Sequence, residues 1–267
     1  MMEKNNIIAI RISHQSLSFA AEDSEAANGL SYEPYIINSS ISMAANLREA
    51  FVRSTLLLRN YRRAVVFIDS PVMILPTEEF REDEKELLYE HTFTKKHLHV
   101  VTHAVIPELS AVAIFSIERD IKNVIDDHFA DVRYLPLPMP AWSFLHNRSY
   151  NNLNKKLYAY FHDQKMEVFS FSQNRFKFCN CFKVASHQDA LYFLTSVWQQ
   201  LGFNQEKDEL HFVGHIDKQD EFLNEAKEFL NNVYMIRPKA DFNRHPFCET
   251  PALPYDLMVY FVEKQIS

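Results

Sequence analysis

The sequence predicts an α/β fold made of two successive units, each running strand-strand-strand-helix-strand-helix-strand around a mixed sheet. Three observations predict it. The apolar pattern changes between the strand period and the helix period in the same order twice along the chain. The second run begins about 150 residues after the first, with no residue identity visible between them, so the repeat is one of element order. The composition, 47% hydrophobic and 13% aromatic over 267 residues, suits a packed core throughout.

Residues 7–12, 17–22 and 32–38 are the first three strands. Leu17, Phe19 and Ala21 alternate, as in a half-buried strand, and Asn28-Gly29 reads as a turn before the third strand. Met43, Leu47, Ala50, Phe51, Leu57 and Leu58 recur at helical spacing, which predicts a helix over 42–60 with Ser42 as its N-cap. Ala64-Val65-Val66-Phe67-Ile68 is a continuous apolar run, the pattern of a strand covered on both faces in a parallel arrangement. Residues 70–117 read as an insertion, with strand-like runs at 72–75, 98–106 and 110–117. Within it, residues 77–90 carry seven carboxylates against Arg81 and Lys85, the pattern of a solvated helix face. Helical 118–128, a strand at 132–135 and the punctuation of Pro136, Pro138 and Pro140 close the first unit, residues 1–150.

The pattern then restarts. Strands are predicted at 157–162, 166–172 and 175–183, joined by tight turns at Asp163-Gln164 and Gln173-Asn174. In the third, Phe176, Phe178 and Phe182 fall on one face, with Arg175, Lys177 and Cys179 on the other. Ser186, with Asp189 three residues on, starts a helix carrying Leu191, Leu194, Trp198 and Leu201, and Gly202 ends it. A strand at 210–213, a helix capped by Asp217 with Phe222, Ala226, Phe229 and Leu230 inside, and a strand at 233–236 follow. Residues 238–254 read as irregular. A terminal helix at 255–265 carries an apolar stripe, Leu257, Val259, Tyr260 and Phe261. Its stripe suits packing on either half, and it is grouped here with the second unit, 151–267.

Three meandering strands followed by alternating helix and strand give the ribonuclease-H-like unit, and two of them give the duplicated architecture of the actin and sugar-kinase ATPases. The passage Val66-Phe67-Ile68 through Val72-Met73-Ile74-Leu75-Pro76 and Glu78-Glu79-Phe80 resembles an uncharacterised bacterial, Bacteroidetes-type family, a domain of unknown function with an actin-like ATPase fold. Residues 189–201 and 210–214 resemble its second half. The resemblance spans nearly the whole chain; it implies the fold and no activity.

Several function classes are disfavoured. The chain holds only three glycines, Gly29, Gly202 and Gly214, where average usage would give about 19; glycine-rich phosphate loops have little material. Lys+Arg 28 against Asp+Glu 35 gives a net charge of −7, which argues against a nucleic-acid partner. No stretch is apolar for long enough to span a membrane. Three cysteines, an odd count, and no secretory leader lead to the expectation of a cytoplasmic protein with reduced thiols.

Actin-like ATPases hold phosphates on turns between the first two strands of each unit. Glycine there lets backbone N–H groups approach the phosphates, and an aspartate organises Mg²⁺. Here the first such turn is Ile12-Ser13-His14-Gln15-Ser16, with neither glycine nor carboxylate. The second is His162-Asp163-Gln164-Lys165, with one acid and no glycine. The turn that would receive adenosine, Phe212-Val213-Gly214-His215-Ile216, has a single glycine. Asp163, Lys165 and Gly214 are therefore the candidate nucleotide-binding residues, although turn chemistry alone explains Asp163 and Gly214. A ribonuclease-type nuclease needs clustered carboxylates on the central strands, and the first strand offers Arg11 instead.

His97, His99 and His103 share one strand face, with the first two about 6.5–7 Å apart along it. They are the candidate metal ligands, without an acidic or cysteine partner at ligand spacing. A polar strand face is the plainer account of them.

The favoured functional expectation is a non-catalytic, degenerate actin-like module that binds or scaffolds an unidentified protein partner, with no cofactor. The alternative is an ATP-binding enzyme of the actin and sugar-kinase type with a glycine-poor site built on Asp163, Lys165 and Gly214, and Mg-ATP as its ligand.

Overall fold

The computed structural model describes residues 7–94, 98–149 and 154–266. The chain divides into two compact units, residues 1–106, 111–141 and 245–267 forming the first and residues 107–110 and 142–244 the second.

In the first unit, β1 (Ile7–Ile12), β2 (Leu17–Glu22) and β3 (Leu30–Tyr35) form an antiparallel meander. Helix α1 (Met43–Arg53) follows, with Ser42 accepting the N–H of Ala45 as its cap. It ends sooner than the apolar spacing predicts: the residues beyond it fold as turns, and Leu58 is exposed. Strand β4 (Arg63–Ile68) then pairs parallel to β1 with Arg11 opposite Phe67.

The insertion supplies a separate three-stranded sheet. β5 (Val72–Pro76), β6 (His99–Ile106) and β7 (Ala111–Glu118) pair in the order β5-β7-β6, and α2 (Lys85–Thr92) lies on β6 and β7. The acidic stretch runs into α2, whose one buried side chain is Tyr89, as expected of a solvated face. Helix α3 (Arg119–Asp126) buries Ile121, Val124 and Ile125, and β8 (Asp131–Pro136) joins β4 in parallel. The five-stranded sheet order is β3-β2-β1-β4-β8.

The boundary between the units falls within α4 (Met139–Ser149), just after Ala141, not at residue 150. In the second unit, β9 (Lys156–His162), β10 (Lys165–Ser172) and β11 (Arg175–Lys183) again form an antiparallel meander. Helix α5 (His187–Gln200) is capped by Ser186, which accepts the N–H of Asp189, and Asp189 in turn accepts the N–H of Ala185. β12 (Glu209–Gly214), α6 (Gln219–Lys227) and β13 (Val233–Met235) complete the sheet in the order β11-β10-β9-β12-β13. Order and strand sense match the first sheet position for position, so the repeat read from element order is a repeat of topology.

Two details differ from the alternation in the sequence. A register shift between Ser170 and Phe171 sets Phe176 opposite Phe171 and Phe178 opposite Ser170. The extra residue turns Phe176 to the other face, where it meets Trp142 and Phe171 at ring distances of 5.4 and 5.3 Å. Phe178 and Phe182 stay against the core formed with α5 and α6. At α6 the N-cap is Lys218 in a left-handed conformation, without a side-chain cap bond, while Asp217 lies within 3.3 Å of the exposed His215 ring. Phe229 follows the helix and is more than half exposed.

Residues 238–254 contain the short helix α7 (Pro238–Asp241) and a 3₁₀ turn, Pro246–Glu249. Helix α8 (Tyr255–Ile266) belongs to the first unit, not to the second as grouped from the sequence. Tyr260 packs edge-on to Phe67 at 5.2 Å, and Asp256 reaches Arg11 on the neighbouring strand. The core of this unit combines Ile8, Ile10, Phe19 and Val66 with Leu257, Val259 and Phe261, all fully buried.

Candidate functional site

The turn joining β1 to β2 is closed on itself. The N–H of Ser13 donates to the Ser16 carbonyl at 2.9 Å. The Ser13 hydroxyl accepts the N–H groups of Gln15 and Ser16 at 3.2 and 3.0 Å and lies 2.8 Å from Ser16 Oγ. Arg11 Nη1 donates to Ser16 Oγ at 2.7 Å, and Arg11 Nε donates to both oxygens of Asp256, at 3.1 and 3.0 Å. Arg11, Ser13 and Asp256 are all buried. A phosphate oxygen brought to this turn would compete with Ser13 for the main-chain donors and with Asp256 for the guanidinium. Serine does here, with side chain and backbone, the satisfying work that a bound phosphate does on a glycine turn.

The second turn has a different chemistry. Asp163 and Gln164 both have positive φ, 45° and 60°, which makes a tight hairpin turn of the kind that fits the twist of paired strands. The Asp163 carboxylate sits 3.3 Å from Nδ1 of His162, and Nε2 of the same ring lies 3.8 Å from Glu167. Lys165 opens β10 in register with His162 on one side and Lys183 on the other.

Gly214 ends β12 opposite Phe161, the residue before His162. The structure therefore brings Asp163, Lys165 and Gly214 to one end of the second sheet, the carboxyl end of β9 and β12, where open α/β sheets commonly take ligands. Gly214 has a packing reason of its own. At φ +87° a side chain would be strained, and a Cβ would collide with the Phe161 carbonyl and come within 3.0 Å of the Tyr160 ring. The space that glycine leaves is filled by the neighbouring strand.

Of the histidines, His97 lies outside the described residues. His99 Nδ1 is 3.2 Å from Ser116 Oγ on β7, and the His103 ring packs on Phe80 with centroids 4.7 Å apart. Among the described residues no group of three His, Cys, Asp or Glu side chains is placed to hold a metal ion.

The pairing of Arg11 with Asp256 escaped sequence reasoning. Its signals were faint: one cation inside the apolar strand Ile7–Ile12, and one carboxylate inside the otherwise apolar start of Tyr255–Ile266. Nothing in the spacing joins two residues 245 positions apart.

Comparison with solved structures places this geometry. A Bacteroides thetaiotaomicron VPI-5482 protein, described as having an actin-like ATPase fold and unknown function, superposes with a TM-score of 0.78 at 27% identity over 91% of this chain and 96% of its own. A type IV pilus biogenesis complex of PilM and PilN matches with a TM-score of 0.60 at 10% identity, over 99% of each chain. The fold is that of the actin-like ATPases. No curated protein sequence matches the chain. The family model described as "Protein of unknown function (DUF3822)" matches residues 2–233, and the chain belongs to that family.

Proposed function

We propose that the chain is a non-catalytic actin-like module that binds another protein. The observation that carries this reading is the β1–β2 turn. Its main-chain donors at Ser13, Gln15 and Ser16 are satisfied within the turn, and Arg11, which reaches the turn through Ser16, is held by a buried carboxylate. An actin-like ATPase needs those donors turned toward phosphate. The solved complex of PilM with PilN is a case of this fold carrying a protein partner, and supports the reading by analogy of fold alone. A cytoplasmic setting is part of the proposal and rests on the odd cysteine count, three.

The convergence of Asp163, Lys165 and Gly214 at one sheet end favours a second reading, an ATP-binding enzyme. Asp163 would then organise Mg²⁺, and Lys165 would meet a phosphate. Calorimetric titration of the purified protein with Mg-ATP separates the two. The proposal expects no saturable binding up to millimolar nucleotide, weaker than about −4 kcal/mol. Micromolar binding that is abolished by Asp163→Asn would overturn it in favour of the enzyme.

A further inference from the structure

The outer strands of the sheets differ in how they are finished. An edge strand presents main-chain N–H and C=O groups that another chain can pair with, and folded proteins blunt it by proline, by shortness or by a covering element. In the first unit β3 contains Pro34, and its Glu33 carboxylate accepts the N–H of Leu56 at 3.1 Å, which ties the segment after α1 to it. β5 ends in Pro76, and β6 and β8 lie against each other. In the second unit β13 has three residues. β11 is finished in none of these ways. It has nine residues, no proline and no buried residue, and among the described residues no strand pairs with its outer side.

The direction of its main-chain groups follows from the turn. Asp163 and Gln164 form a two-residue turn, which makes His162 and Lys165 a hydrogen-bonded pair and points the main chain of Met166, Val168 and Ser170 toward β11. Their register partners Phe182, Asn180 and Phe178 face back toward β10. Cys179, Cys181 and Lys183 therefore aim their N–H and C=O groups away from the sheet. The N–H of Cys181 is answered from its own strand, by Asn180 Oδ1 at 2.9 Å, a side chain that can swing aside. The face toward α5 is unfinished too. Phe178, Phe182 and Phe193 are only partly buried against the core, Phe182 stacks on Phe193 at 4.6 Å, and beside Phe193 the Tyr192 ring is 68% exposed.

We propose that the outer edge of β11 takes up an extended acidic segment of another protein as an added strand. Main-chain bonds come from Cys179, Cys181 and Lys183, and apolar residues at alternate positions of the added strand continue the core beneath α5. Charge selects the occupant. β11 carries Arg175, Lys177 and Lys183 and no carboxylate, in a chain of net charge −7. Lys177, the extra residue of the register shift, rests over the Phe203 ring at 5.7 Å, and Lys183 stands opposite another cation, Lys165. Carboxylates on an added strand relieve that opposition of like charges. A second copy of the chain is refused, because antiparallel pairing brings Arg175 and Lys177 of one copy beside Lys183 of the other. The inference rests on the protein-binding reading and adds to it a place and a chemistry.

The probe is a peptide of alternating glutamate and valine, about seven residues long as suits one strand, with its lysine–valine counterpart as control. Titrated into the full chain and followed by residue-resolved amide hydrogen exchange, it should bind saturably at about 1 mM or tighter. Exchange at Cys179 and Lys183 should slow by about tenfold or more, while Asn180 and Phe182, already paired with β10, change little. Lys177→Glu combined with Lys183→Glu should weaken binding by about tenfold or more. Cys181→Pro, which removes an outward N–H and no bond to β10, should abolish it, and the charge variant serves if this one fails to fold. Absence of binding up to about 1 mM, equal binding of the lysine–valine peptide, slowed exchange confined to another element, or binding that survives the charge reversal would each overturn the inference. Mg-ATP titrated in parallel keeps the two readings apart. Nucleotide binding counts against the non-catalytic module and leaves the edge to be decided by its amides, whereas failure of the peptide without nucleotide binding overturns the edge alone.

Discussion

Asp256, at the start of α8, holds the guanidinium of Arg11 on β1 at 3.0 Å, with both side chains almost fully shielded from water. The pair fixes the C-terminal helix to the central strand and, through Arg11 Nη1 on Ser16, fixes the first turn as well. Burying two charges is costly, so the pair's value lies in what its loss would leave behind. Asp256→Ala should destabilise by about 3–5 kcal/mol, because Arg11 would stay buried without its carboxylate. Arg11→Met with Asp256→Leu should recover much of that loss. Urea unfolding of the single and double variants measures both, and equal losses in all of them would mean that shape, not charge, anchors α8.

Gly214 and Gly202 separate backbone strain from collision. Both have positive φ, but a Cβ at Gly202 meets nothing within 4 Å, whereas one at Gly214 runs into the Phe161 backbone. Gly202→Ala should cost about 1 kcal/mol, the strain of a left-handed conformation. Gly214→Ala should cost clearly more, about 3 kcal/mol or beyond, since β9 and β12 must part to admit it. Thermal melts of the two variants make the comparison, and similar losses would refute the packing account of Gly214.

The two serine caps predict a smaller effect. Ser42 and Ser186 each accept a backbone N–H three residues on, at 3.1 Å. Replacing either with alanine should cost about 1 kcal/mol, and glycine should cost less. The denaturation midpoint reports it directly.

His211 makes one region of the second unit pH-sensitive. Its ring packs between Tyr158 and Tyr234 at 5.3 and 5.2 Å and meets Glu209 at 2.8 Å. Burial holds its pKa below the usual histidine value, outweighing the attraction of Glu209. The unfolded chain therefore takes up this proton more readily than the folded one, so stability is fully present above about pH 6.5 and falls as pH drops below it. Burial pushes Glu209 up, but His211 and Lys156 outweigh it and hold it below the usual carboxylate range. Its own contribution is therefore lost in a lower window, below about pH 4.3. Midpoints measured from pH 7.5 to 5 should decline more steeply in the wild type than in His211→Gln, a range in which histidine is the titrating side chain; parallel curves would exclude the histidine as the cause.

The duplicated topology was legible because it rests on local signals. Strand alternation at Leu17–Glu22, the continuous run in Arg63–Ile68 and the capped starts of α1 and α5 each lie within a window of a few residues, where backbone geometry and burial impose their period. The same locality placed Asp163 and Gly214 on turns and showed how few glycines were available to bind phosphate.

Misreadings began where a neighbour in space overrode the local pattern. A single extra residue in the β10–β11 pairing moved Phe176 to the face opposite Phe178, which no alternation rule reports, because a bulge depends on the partner strand. Helix α8 offered an apolar stripe that fitted either half. Its placement was decided by Asp256 meeting Arg11 and by Tyr260 meeting Phe67, pairs of residues far apart along the chain. The sequence by itself determined the order of the elements, the period of each and the poverty of its phosphate turns. Only the tertiary structure decided which buried charge answers which, and that the N–H groups of Ser13, Gln15 and Ser16 are satisfied within the first turn, because such pairings depend on distance in space and not on a pattern along the chain.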